Sequence, residues 1–309
     1  MEKRAYLPEG SLLATAENQA ATASLTALMR AQEENQLLEG KAIRCDVDHN
    51  LIVRLPCGEA IIPHNEGALG IAEGVTRDIA LISRVGKPVC FVVIGFEQTG
   101  EGCRPILSRR LAQERCKEEF LNHLRPGDVI PARVTKLESY GAFCDVGCGL
   151  VALMLIADIS VSRISHPSDR LTPGMEVLGV VSSLDNGRIC LSHRELLGTW
   201  EENAALFSEG ETVSGIVRSV ESYGIFIELT PNLTGLAESR PGVKVGQSAA
   251  VFIKGIHPDK MKVKLVLIDA VDDNAPPPPF RYFIEEGPIR RWRYSPEGCQ
   301  RTIERVFEE

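Results

Sequence analysis

A ten-residue pattern of this chain returns 83 positions later. Val134-Thr135-Lys136-Leu137-Glu138-Ser139-Tyr140-Gly141-Ala142-Phe143 lies over Val217-Arg218-Ser219-Val220-Glu221-Ser222-Tyr223-Gly224-Ile225-Phe226, with Val-x-x-x-Glu-Ser-Tyr-Gly-x-Phe in common. The register extends to both sides, with Gly127-Asp128 over Gly210-Glu211 and Asp145-Val146 over Glu228-Leu229. Repetition at a fixed period restricts the fold to an array of like units. A fainter copy lies upstream. Gly40-Lys41-Ala42-Ile43-Arg44 opens it, and Leu107-Ser108-Arg109-Arg110 closes it as Leu191-Ser192-His193-Arg194 closes the next. In this first unit His49-Asn50-Leu51-Ile52-Val53 stands where the others have Tyr-Gly-x-Phe.

Each unit reads as short strands, because apolar runs of four to eight residues are separated by Gly, Pro and Asn-Gly. In the second unit they cover 129–137, 141–146, 151–156, 176–184 and 188–191. In the third they cover 212–220, 225–229, 233–237, 248–256 and 262–268. Asp185-Asn186-Gly187-Arg188 is a hairpin turn, since Asn-Gly supplies the positive φ of a type I′ turn. Five strands without a crossover helix indicate a small closed barrel of the OB type. The fold class is therefore all-β dominated, with three tandem five-stranded OB-type barrels joined by short α-helices. Helical spacing at Leu25, Leu28, Met29 and Leu37 predicts a helix over 17–38, and 111–124 and 195–207 read as linking helices. The division is 1–38 N-terminal segment, 39–110 first unit, 111–123 linker, 124–194 second unit, 195–207 linker, 208–271 third unit and 272–309 Pro-rich linker and tail. Four prolines at 276–279 form an extended spacer.

The repeated Tyr140/Phe143 and Tyr223/Phe226 lead the candidate functional residues. A Gly inside a strand marks close approach or a bulge, and placed between two aromatics it can turn both rings to one side. Rings exposed on a barrel face stack with unpaired bases; rings turned inward are core. Lys260, Lys262 and Lys264 alternate with Met261, Val263 and Leu265, which on one strand sets three ammonium groups on a single face. Such a row can follow phosphates or can simply protect a solvated edge.

On these residues each unit resembles the RNA-binding repeat named after the largest small-subunit ribosomal protein of bacteria, the S-one domain. Gly127…Val134…Tyr140-Gly141-Ala142-Phe143, Gly174…Val177 and Asp185…Arg188-Ile189-Cys190-Leu191-Ser192 carry it in the second unit. Gly210…Val217…Tyr223-Gly224-Ile225-Phe226, Gly246…Val251 and Asp259…Lys262-Val263-Lys264-Leu265 carry it in the third. The resemblance implies an RNA face of two aromatics, a histidine after the third strand, and an acidic–basic pair near the last hairpin. It assigns RNA contacts to Tyr140, Phe143, Asp185 and Arg188, and to Tyr223, Phe226, Asp259 and Lys262, with Lys260 and Lys264 beside them. Leu155 and Glu238 stand near the histidine's place, and the first unit lacks the aromatics. The implied role is to hold single-stranded RNA, namely mRNA, during translation, with the small ribosomal subunit as a partner. The alternative is a protein–protein adaptor that docks on the ribosome or on an RNA-processing complex.

Other classes find little support. The 34 basic and 42 acidic residues give −8 overall, against a polycationic coat. Residues 38–110, 124–196 and 208–270 hold 23 basic and 24 acidic residues, so the surplus acid lies outside the units. No apolar run approaches a membrane span and no apolar leader opens the chain, so neither a membrane nor export is implied. Nine scattered cysteines suit free thiols in a reducing cytoplasm. The histidines have no triad partners, and no phosphate-binding loop or metal-ligand cluster is present, so the chain reads as a non-enzyme with no cofactor, metal or small-molecule substrate. Gly147-Cys148-Gly149 fits a dinucleotide turn only if a helix follows. Arg163, His166 and Arg170 sit in an insert that either extends the RNA surface or is an ordinary loop. Arg290-Arg291-Trp292-Arg293-Tyr294 suits RNA, an acidic partner, or a tail that packs on the third unit.

Overall fold

The computed structural model describes residues 6–100, 102–185, 187–272 and 279–307. Two helices come first, α1 (Ala16–Ala21) and α2 (Leu25–Glu33). The single helix expected over 17–38 is broken because Ser24 caps the second helix through the Ala27 N–H, and Leu38 already belongs to a strand. Hydroxyl caps compete with helix continuation in this way. The first barrel follows: β1 (Leu38–Cys45), β2 (Leu51–Leu55), β3 (Gly58–Ile62), a short α3 (Ile79–Ile82), β4 (Pro88–Thr99) and β5 (Gly102–Ser108). Then come α4 (Arg109–Glu119), capped by Ser108, and the second barrel: β6 (Val129–Glu138), β7 (Gly141–Gly147), β8 (Leu150–Leu155), a single turn α5 (Ile156–Ile159), β9 (Glu176–Asp185) and β10 (Arg188–Ser192). The helix expected over 195–207 shrinks to α6 (Trp200–Ala204), fixed by a Thr199–Glu202 capping box. The third barrel contains β11 (Thr212–Glu221), β12 (Gly224–Thr230), β13 (Leu233–Ala237), β14 (Ser248–His257) and β15 (Lys262–Val271), and the tail adds β16 (Arg291–Arg293) paired with β17 (Glu304–Val306). Of the hairpin at 185–188, Asn186 lies outside the described residues, as do prolines 276–278 of the spacer.

All three sheets close in the same order: first strand, second, third, fifth, fourth and back to the first. The third and fifth strands pair in parallel in every barrel, and the fourth and fifth run antiparallel in each. Closure removes free sheet edges, and strand alternation sends one set of side chains inward. Leu51, Val53, Ile62, Val89, Phe91 and Leu107 fill the first barrel. Val217, Ile225, Ile227, Val251, Ile253 and Leu265 fill the third.

The described chain divides into two units. One holds the residues up to Leu124 with Pro131–Arg133 and Asp145–Val151; the other holds Arg125–Ile130, Val134–Cys144 and the chain from Ala152 onward. Asn232, in the third barrel, is fully buried in the second unit. Its amide accepts from Val161 N–H and donates to the carbonyls of Arg194 and Gly198. None of the nine cysteines is in a disulfide. Among the described residues, no helix is long and apolar enough to cross a membrane.

Between pH 7 and pH 5 the two units respond to acid with opposite sign. His193 is fully buried in the second unit, with Nδ1 3.1 Å from the Ile159 carbonyl and Nε2 3.1 Å from the Tyr282 hydroxyl. A carbonyl only accepts, so Nδ1 carries the proton and Nε2 accepts from the hydroxyl. Burial pushes the imidazole down to about 4. The unfolded chain therefore binds a proton that the folded chain refuses, and stability is lost as pH falls from about 6.5 toward 4, by up to roughly 3 kcal/mol. In the first unit burial pushes Glu39 up to about 7 and also raises Asp145. Their contribution is present at low pH and lost as pH rises through the folded values. Amide exchange at pH 7 and pH 5 should show protection in the second unit falling relative to the first. Equal change in both units would contradict this assignment.

Candidate nucleic-acid interface

The repeated motif builds the same object twice. In the second barrel Tyr140 ends the β6–β7 turn and Phe143 points from β7; their ring centroids lie 6.2 Å apart at 89°. In the third barrel Tyr223 and Phe226 lie 6.1 Å apart at 86°. Edge-to-face contact of this kind holds two rings in a fixed mutual pose. Tyr140 is 50% exposed and Tyr223 68% exposed, while both phenylalanines are half-buried. The glycines are required by proximity. A Cβ on Gly141 would stand 2.3 Å from the Met154 carbonyl oxygen, and one on Gly224 would stand 2.6 Å from that of Ala237. The next strand can approach only where no side chain intervenes. Replacing Gly141 with valine is expected to push β7 from β8 and disorder the Tyr140–Phe143 pair, at a cost of about 1–3 kcal/mol; loss of the Tyr140–Phe143 ring contacts in NMR spectra checks it.

Register carries this face sideways. Ser219 pairs with Phe226, Phe226 with Leu236 and Leu236 with Lys264, so an outward ring, an apolar residue and an ammonium group share one row across β12, β13 and β15. Lys262 lies opposite His257. Lys262 and Lys264 are exposed and alternate with buried Val263 and Leu265. Lys260 does not continue this alternation. It ends a 3-10 turn, Pro258–Lys260, and Met261 takes a left-handed conformation before the strand begins. Proline at the turn's first position and φ = 48° at Met261 reorient the chain there. Asp259 and Lys260 are both exposed and 4.0 Å apart. In the second barrel Asp185 and Arg188 pair across the last hairpin, both exposed, and Cys190 takes the register position of Lys264, beside Leu153.

The first barrel departs from this pattern. Ile52, in its second strand, is buried, and His49 sits before that strand at φ = 62°. Two residues beyond β3, after Pro63, stands His64, whose Nε2 lies 2.7 Å from Asp78, with His49 Nε2 3.8 Å from the same carboxylate. The hydrogen bond from His64 holds the Asp78 carboxyl below its ordinary range. In the unit that lacks the rings a histidine thus follows the third strand, one position past the place that Leu155 and Glu238 hold in the others. Ile61-Ile62-Pro63-His64 was the sequence signal for it, obscured by the poor match around it.

Several candidate cations are placed elsewhere. Arg163 is exposed, but the His166 ring caps a short turn at Ser168. Arg170 is 4% exposed and clamps Glu228 at 2.7 and 2.5 Å, so it offers nothing to a ligand. Sequence places Arg170 in a polar loop and carries no sign of a partner 58 residues away. The tail's Trp292 and Tyr294 are buried in the core that includes Val217 and Ile225, and Tyr294 donates to the Asn232 carbonyl. Their rings are packing residues; Arg290 and Arg291 remain exposed. Gly147-Cys148-Gly149 joins two strands, without the helix a dinucleotide turn needs.

Three closed barrels in series, two of them presenting a Tyr–Phe pair, define a tandem OB-type protein. The S1 RNA binding domain family matches residues 123–194, the second of these barrels. The chain is 34% identical over 158 residues to the small ribosomal subunit protein bS1 homolog of Bacillus subtilis, covering 49% of this chain and 41% of that one. It is 30% identical over 207 residues to the bS1 homolog of Bacillus cereus, covering 61% and 53%. With bS1 of Staphylococcus aureus it shares 31% over 183 residues, covering 53% and 46%. The chain spans about half the length of the curated relatives it matches.

Proposed function

We propose that this chain binds single-stranded RNA on the Tyr140/Phe143 and Tyr223/Phe226 faces, holding mRNA for translation at the small ribosomal subunit in the cytoplasm, without catalysis of its own. One observation carries the reading: two Tyr–Phe pairs stand on different barrels in nearly the same geometry, with the tyrosines half or more exposed. The family match over the second barrel supports it. Bases stack on the rings, Arg188, Lys262 and Lys264 meet phosphates, and Asp185, Asp259 and Lys260 stand at the rim. Stacking accepts any base, so sequence preference is weak. Unpaired strands are favoured because duplex bases have no free face.

The test is a titration of a labelled, unstructured RNA at about 50 and 200 mM salt. Wild type should bind with marked salt dependence and ignore a duplex of equal length. Two rings at about 1–3 kcal/mol each predict a loss of about thirtyfold or more for the double variant Tyr140→Ala/Tyr223→Ala. Wild-type affinity in that variant would remove the face assignment. A second reading, docking on a protein, has one specific observation behind it. The first barrel lacks a ring pair and exposes Val75, Ile79 and Ile82 around α3, an apolar stripe of the sort found at protein contacts.

A further inference from the structure

Barrels two and three differ at positions that their shared register makes strictly comparable. Ile253 pairs with Leu265 in the third barrel as Val181 pairs with Leu191 in the second. One residue earlier on the fourth strand stands Phe252 in the third barrel and Val180 in the second. Val180 is fully buried; Phe252 is 37% exposed, between Thr212 on one side and Val266 on the other. A bulge between Ile253 and Gly255 leaves Lys254 without a cross-strand partner, and its side chain is exposed. The corresponding second-barrel residue is Ser182. Lys264 similarly replaces Cys190. At three matched places, then, the third barrel has a ring and two cations where the second has Val, Ser and Cys.

These residues continue the face already described. Phe226 to Lys264 is two interstrand steps, roughly 10 Å. Phe252 lies one strand beyond Lys264 and two residues along, roughly 7 Å further. Among the described residues, Lys254, Lys262 and Lys264 take part in no ion pair, so their charges are available to phosphates. Glu209, which accepts from the Ile256 N–H at 2.7 Å, bounds the track at that end. Exposed Val266 and Ile268 provide an apolar floor beside the Phe252 ring.

We infer that the third barrel carries a further base-stacking position at Phe252, reached across Lys264 and Lys254, so that its single-stranded RNA track crosses β12, β13, β15 and β14. This rests on the RNA-binding reading above. It makes the third barrel the stronger and longer of the two binding sites.

The experiment titrates the full chain with an oligouridylate of about twelve nucleotides, within the range one barrel accommodates. Phe252→Ala should weaken binding about tenfold, as loss of one stacked base requires. Phe252→Leu keeps the apolar cover and should weaken it equally, which separates stacking from any loss of fold. Lys254→Ala/Lys264→Ala should lower the salt slope by about 1.4, two single-strand phosphates. Because Trp200 and Trp292 are buried, Phe252→Trp introduces an accessible indole whose fluorescence should be quenched at RNA saturation. In the second barrel, Ser182→Lys/Cys190→Lys should raise the salt slope. If the Phe252 variants bind like wild type while Tyr223→Ala is weak, the Phe252 position is overturned and the patch around it serves something other than RNA. If Tyr223→Ala also binds like wild type, the RNA-face reading itself fails.

Discussion

Glu228→Ala is expected to destabilise the second unit by about 3–5 kcal/mol. The carboxylate is buried in β12 between two guanidinium groups. Arg170 meets it end-on at 2.7 and 2.5 Å, and Arg218 meets it with Nε at 2.9 Å and Nη2 at 3.2 Å. Alanine leaves both cations without their anion in a site closed to water, and an uncompensated buried charge costs far more than the intact pair contributes. Arg218→Met should cost less, about 1–2 kcal/mol, because Glu228 and Arg170 still neutralise each other. For a unit of this size the larger loss corresponds to a melting temperature lower by roughly 10 °C. Calorimetry of both variants checks the ranking. If Arg218→Met proved the more damaging, the Arg170–Glu228 pair would not be the central contact. RNA affinity measured well below the transition should survive in Glu228→Ala: Glu228 shares the Phe226 face of β12, but its hydrogen bonds run to Arg170 and Arg218 and not to the Tyr223–Phe226 ring pair.

That network marks where sequence reading stops. Strand limits in the second and third units were legible to within a few residues, because inward apolar residues alternate with outward polar ones and the turns are marked by Gly and Pro. The ring pair was legible because repetition raised Tyr-x-x-Phe above chance, although exposure itself came only from the structure. Lys262 and Lys264 were placed by the same alternation. Lys260 was not, since a left-handed residue interrupts the strand pattern without altering composition. Arg170 stood open between an RNA surface and an ordinary loop because nothing local distinguishes a solvated arginine from one paired across the chain. Phe252 and Lys254 were missed for a different reason. They lie on the fourth strand, outside the motif, and their significance appears only when the registers of two barrels are compared. His64 was hidden by the weak match of the first unit to the other two.

The second large effect concerns the carboxylate at the matching place in the other repeat. Asp145 stands at the position of Glu228 and is also buried. Its Oδ1 accepts from Gly147 and Gly149, and its Oδ2 from the Glu9 N–H at 2.8 Å. Glu9 in turn holds Arg109 at 2.6 and 3.1 Å, Arg84 at 3.3 Å and the Cys90 N–H at 3.1 Å. Burial opposes the charge on Glu9, yet Arg109 beside it prevails and keeps the carboxyl below its ordinary range. Both repeats thus bury an acid at the same point near the end of the second strand, and both associate it with a guanidinium supplied from outside the ten-residue motif. Glu9→Ala should cost the first unit about 3–4 kcal/mol, toward the lower end for a broken buried pair. The reason is Asp145: part of what raises its pKa is the charge of Glu9, so removing Glu9 lets Asp145 ionise more readily and partly neutralise Arg109. Amide exchange should show the loss around β4 and α4, with the third barrel still protected and still able to bind RNA at Tyr223 and Phe226. Glu9→Ala/Asp145→Asn removes the remaining anion and should be worse than the sum of the two single changes. An additive double variant would mean that Asp145 does not share the charge of Arg109, and that the repeated buried acid serves the turn at Gly147 and Gly149 alone.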